Sequence, residues 1–317
     1  MSWTAIWNSD GEVYARAEAP SGMKAATLLL EGRATADLSK NRMVWAGLGE
    51  NAVALRQLEN GAIDLRHRDA HLRTDPGILE PNETYRLVYR SSADGTAGLE
   101  VRSLDRPGLF AVCHGSAAAS RLVEDYVPAQ PVMSAFGCLG ALANQEAPIH
   151  DGIGLERGTQ VMTQAGLLPV EDLRTGDIVM IDDGAPAVVQ SCESDEAVTL
   201  GSMNAVRFCA PYFGLQRDVV VARHTPIQLR GASVDYLCGS ETVAASAGDL
   251  VDNQSILRDL SAPLRDFVSV RLDRPGALCV GHARIFSAAV NTDSVAIDRG
   301  AAQSLLAMEQ DLRGLIG

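Results

Sequence analysis

Turn-forming residues interrupt the first third of the chain at intervals of about 8–12 residues, the rhythm of an all-β domain. The breaks are Gly49-Glu50-Asn51, Glu59-Asn60-Gly61, Asp75-Pro76-Gly77, Glu80-Pro81-Asn82-Glu83 and Ala93-Asp94-Gly95. Between and around them, ATLLLEG, AVALRQLE, AIDLRHRD, TYRLVYRSS and GLEVRSL alternate in part between apolar and polar residues. That period of two belongs to a strand with one face in a core and the other in water. Residues 1–127 are therefore expected to form a β-sandwich.

Residues 128–150 mix Pro, Gly and Ala without a strand pattern and read as a linker. Strand signals return after residue 151, in TQVMT, DIVMID, APAVVQS, AVRFCA, RDVVVARH and FVSVRL. The end of the chain, 298–317, places Ala301, Leu305, Met308, Leu312 and Leu315 at alternating spacings of four and three, behind Asp298. This spacing predicts an amphipathic helix with Asp298 as its N-cap. The fold class is thus mainly β: a sandwich over 1–127, a linker over 128–150, a β-domain over 151–297 and a terminal α-helix.

Charge narrows the partners. The net charge is −13. The first 150 residues hold 14 basic and 18 acidic residues, and the remainder 13 and 22. Neither half shows a run of basic residues, which speaks against nucleic acid or an anionic membrane surface as a partner. No segment approaches the roughly 20 apolar residues of a membrane span, and the N-terminus MSWTAIWNSDGEVYA lacks the basic and apolar regions of a signal peptide. Six cysteines without a C-x-x-C pair read as free thiols in a reducing compartment. The expected location is cytoplasmic, or exported without an N-terminal signal.

The stretch GLERGTQVMTQAGLLPVEDLRTGDIVMIDDG from Gly154 reads as strand, turn, strand, turn and strand. It resembles the opening block of Hedgehog/intein (Hint) domains of the bacterial subgroup, carried by Gly158, Thr159, Thr163, Gly166, Val170, Glu171, Asp172, Leu173, Gly176 and Asp177. RDVVVARHTPIQL resembles the second block of that family, carried by Arg217, Asp218 and His224. The resemblance implies autoprocessing. A thiol or hydroxyl on the first residue attacks the preceding carbonyl, and a Thr/Ser and a His of the second block strain the amide and protonate its nitrogen.

The chain departs from the family at the chemistry. The nucleophile position falls on Gly154, which has no side chain. Thr159 is the nearest hydroxyl of the block, but five residues separate it from the required position. The Thr/Ser position of the second block falls on Val221, while His224 remains as a vestige, expected to be partly buried. Ser269 stands where a later strand of the family often carries a His. Loss of the attacking atom alone removes most of a nucleophilic route. The expectation is a degenerate Hint protein without autoproteolysis, acting as a binding or structural module. The alternative is residual self-cleavage near Ile153–Gly154.

In LRHRDAHLR, an unbroken strand would align His67, Asp69 and His71 on one face, a weak metal-ligand set flanked by Arg66 and Arg68. The first domain resembles laminin-G/concanavalin-like sandwiches, which implies carbohydrate, or another protein, as partner, with Trp45 as a stacking platform if exposed. No nucleotide fingerprint is present and no cofactor is expected.

Overall fold

The computed structural model describes residues 3–8, 11–15, 22–48, 51–106, 108–116, 121–128, 137–147, 149, 152–182, 184–287 and 295–308. The chain divides into two compact units, Met1–Pro148 and Ile149–Gly317.

The first unit is a sandwich of two antiparallel sheets. The larger has seven strands, in the order Phe110–Ser116, Thr96–Ser103, Thr84–Ser91, Ala26–Arg33, Gly137–Ala143, Trp3–Asn8 and Gly11–Ala15. The smaller runs Arg42–Ala46, Ala54–Gln57, Ile63–His67 and Ala70–Arg73. Their inner faces meet in one core, where Leu28, Leu30, Tyr85, Leu87 and Tyr89 pack with Trp45, Leu55, Ile63 and Leu65. Each such apolar side chain removed from water contributes about 1.5–3 kcal/mol. Trp45 lies fully inside this core, edge-on to Trp7 with ring centroids 5.8 Å apart. It is a packing residue and offers no exposed stacking surface. Gly140 explains how so large a ring fits beneath the sheet, since a Cβ there would stand 2.8 Å from two of its ring carbons.

Two sequence expectations are corrected here. The segment read as a linker contains a central strand: Gly137–Ala143 pairs with Trp3–Asn8 on one side and Ala26–Arg33 on the other. Its small residues concealed the alternation that marks a strand, and pairing on both sides supplies what its side chains do not. Residues 129–136, 148 and 150 of that segment lie outside the described residues. The second correction concerns LRHRDAHLR, which is a hairpin rather than one strand. Arg68 turns the chain at φ 53°, and His67 pairs across the turn with Ala70.

The second unit is organised around two long antiparallel strands, Ala185–Val198 and Leu264–Leu272, in register from Ser191 opposite Arg271 to Val198 opposite Leu264, with a register shift between Ser191 and Val189, which lies opposite Leu272. The sequence-predicted strands appear at Gln160–Thr163, Ile178–Ile181, Ala205–Phe208 and Val219–Val221. The described part of the last helix spans Arg299–Met308, where Asp298 Oδ1 accepts from the Ala301 amide at 2.8 Å. Leu305 is buried in the core of this unit. Leu312 and Leu315 lie outside the described residues.

Candidate functional site

The short strand Leu155–Glu156 is inserted between two others. Leu155 pairs with Val221 on one side and Val268 on the other, and Glu156 pairs with Phe267. This insertion brings the three sequence blocks together and fixes the peptide just before it, Ile153–Gly154.

Every polar atom of that peptide is engaged. The Ile153 carbonyl accepts from Ser269 Oγ at 3.0 Å. The Gly154 amide donates to Thr225 Oγ1 at 3.0 Å, and the Thr225 hydroxyl donates to the Gly154 carbonyl at 3.1 Å. That carbonyl also accepts from the Ala222 amide at 3.0 Å, and the His224 amide donates to the Gly152 carbonyl at 3.2 Å. Thr225 is fully buried. Satisfied buried backbone groups hold a chain rigidly, because breaking one strands a partner away from water.

Gly154 is more than an absent side chain. Its φ is 156°, and a Cβ built on it would stand 3.0 Å from the Val268 carbonyl oxygen and 3.2 Å from Phe267 Cβ. A side chain at this position would press on the neighbouring strand, which would have to give by a few tenths of an ångström.

The other sequence-derived candidates fall elsewhere. His224 contributes its backbone to the site, but its side chain is exposed rather than partly buried. Val221 is wholly buried within the strand Val219–Val221. The Thr159 hydroxyl donates to the Glu156 carbonyl at 2.6 Å and closes the turn after the inserted strand. Asp218 accepts from the Ala210 amide at 2.9 Å and stands 3.5 Å from Arg207. From there a line of alternating charge runs inward. Arg207 and Arg265 meet Asp259 Oδ2 at 2.9 and 2.8 Å, and Arg265 also pairs with Glu156. Asp218 therefore belongs to an ionic brace that ends two residues from Gly154.

Asp259 is the electrostatic centre of this brace. Burial pushes its carboxyl upward, but the amide and hydroxyl of Ser261 and the guanidinium groups of Arg207 and Arg265 outweigh it and hold the pKa at about 2. The thiols move the other way. Burial pushes Cys113, Cys192 and Cys209 up, so none of the three is the activated thiolate a substitute nucleophile would need.

The weak metal set is not assembled. His67 is buried, with Nδ1 2.9 Å from the Tyr89 hydroxyl. His71 is exposed across the hairpin, with Nε2 2.7 Å from Asp64. Among the described residues no cluster of three or more His, Cys, Asp or Glu is arranged to hold a metal ion, and no helix is long and apolar enough to cross a membrane.

Sequence reading missed Thr225 as the residue that grips Gly154. The signal available was its place directly after His224, four residues beyond the position where a hydroxyl was sought.

Residues 153–290 match the family model described as Hint domain. No curated protein matches the chain. Among solved structures, the chain aligns with the receptor-binding domain of botulinum neurotoxin type G at 10% identity and a TM-score of 0.25, over 63% of this chain and 65% of that one. It aligns with Scytalido-glutamic peptidase, bound to a peptide-based transition state analog, at 9% identity and a TM-score of 0.24, over 60% of this chain and 92% of that one. Scores at this level carry no argument about fold or activity.

Proposed function

Residues 153–290 belong to the Hint domain family, and from that premise we propose that this is a non-processing member, in which the would-be scissile peptide serves as a structural clasp. The chain then acts as a binding or structural module. The observation that supports this reading is the geometry at Gly154. The residue carries no attacking atom, and a side chain there would be crowded by the Val268 carbonyl and Phe267. His224, the one family catalytic residue retained by type, has an exposed side chain.

Residual self-cleavage is the second reading, and Ser269 is what favours it. Its hydroxyl donates to the Ile153 carbonyl, which polarises that bond as an oxyanion donor does. Polarisation without a nucleophile accelerates little, because members of a catalytic unit act together.

Intact mass of the purified chain, with and without dithiothreitol or hydroxylamine, separates the two. The proposal expects one full-length species in every condition. Fragments meeting at Ile153–Gly154 would establish cleavage and reject it.

A further inference from the structure

The small sheet of the first unit carries a cationic face that the reading above leaves unused. Alternation along its strands sends Leu55, Ile63, Leu65 and Leu72 into the core and leaves Arg56, Arg66, His71 and Arg73 exposed on the other side. Register sets Arg56 opposite Asp64 and Asp64 opposite Arg73, with Arg66 opposite His71 in the adjoining row. Neighbours within a row stand about 5 Å apart, and the rows about 6–7 Å apart. The carboxylate at the centre is already committed, since Asp64 pairs with His71 at 2.7 Å and lies 3.4 Å from Arg66. Arg56 and Arg73 form no ion pair among the described residues.

The rim adds donors. The side-chain carbonyls of Asn41 and Asn60 accept from the Glu59 and Ala62 amides at 3.0 and 3.2 Å, which leaves their NH2 groups as the atoms available to a ligand. Leu58 and Glu59 complete a cleft of about 310 Å³, at the small end of the range for ligand sites.

We propose that this cleft binds an acidic oligosaccharide through its carboxylates. The planar fork of a guanidinium holds a carboxylate by two parallel hydrogen bonds, and the two unpaired arginines lie two strands apart, so the ligand must carry more than one anionic group. Glu59 and Leu58 discriminate among polyanions. The Glu59 carboxylate accepts from sugar hydroxyls, which a polyacidic peptide lacks, and the Leu58 side chain suits the face of a sugar ring. This inference does not depend on whether the second unit cleaves.

The test is calorimetric titration of the full chain with oligogalacturonate at low ionic strength. The expected result is saturable binding that weakens as salt screens the arginines. The R56A/R73A pair should lower the affinity by about tenfold or more, because each loses a charge-assisted bidentate contact. R56K/R73K, which keeps charge but loses the fork, should fall between. R258A, an exposed arginine of the second unit, should bind as the native chain does. Unchanged circular dichroism in the variants assigns the loss to the site rather than to unfolding. Four outcomes each overturn the proposal: no binding by the native chain, equal affinity for a neutral oligosaccharide, equal affinity for oligoglutamate, or undiminished binding by R56A/R73A.

Discussion

The hydroxyl of Thr225 bridges the amide and the carbonyl of Gly154, at 3.0 and 3.1 Å, inside a wholly buried pocket of backbone. One side chain thereby satisfies both polar groups of the residue that, in a processing domain, would initiate the reaction. T225V preserves shape and removes both bonds, stranding a buried amide. It should destabilise the second unit by about 1–3 kcal/mol, whereas T225S should retain most of that stability. Chemical denaturation of the two variants checks this, and equal midpoints would show that the hydroxyl contributes nothing.

Restoring the expected nucleophile should not restore the reaction. In G154C the new Cβ meets the Val268 carbonyl and the backbone is held at φ 156°. Strain of this kind costs about 1–3 kcal/mol, so a lowered Tm and an uncut chain on intact mass are expected together. A stable G154C that cleaves in the presence of a thiol would show that the strand at Val268 yields.

A parallel clash tests the first unit. G140A drives a methyl toward the Trp45 ring, which Trp7 and the surrounding core hold in place. Overpacking should cost about 1–3 kcal/mol, read as a fall in Tm of the first unit. The near-ultraviolet circular dichroism of the tryptophans should change with it. An unaltered Tm would mean the ring has room to move.

Acid should loosen the ionic brace. The Asp259 carboxyl titrates at about 2 in the folded chain against an ordinary value of 3.8. A lowered folded pKa contributes stability that is present above the unfolded value. That contribution is lost as pH falls from about 4 through 2, and it amounts to at most about 2 kcal/mol. D259N should be less stable at neutral pH and should lose this part of the acid dependence. Identical acid transitions in the native chain and D259N would assign the pH sensitivity to other carboxylates.

Elements whose side chains alternate were legible in the sequence, and elements held by their neighbours were not. Thr96–Ser103, Ala54–Gln57 and Gln160–Thr163 carry their alternating burial in their own residues. Gly137–Ala143 owes its strand conformation to pairing on both sides, which no local window contains. The same limit applies to the site. That Gly154 lacks a nucleophile is written in the chain, whereas the grip of Thr225 on Gly154 and of Ser269 on Ile153 spans 71 and 116 positions and forms only on sheet closure. The arginine face stayed hidden for a related reason: Arg56, Arg66 and Arg73 are dispersed among apolar residues that point the opposite way, so no basic run marks them.

The insertion of Leu155–Glu156 between two strands has a consequence for any cut beside it. Gly152 and Ile153 are fastened by their carbonyls to His224 and Ser269, and Leu155 is laced into the sheet on both edges. Severing the peptide between them would nick the chain without freeing either end. The downstream end would stay laced into the sheet and the upstream end would keep its two hydrogen bonds, so in this fold scission need not loosen the domain that it opens.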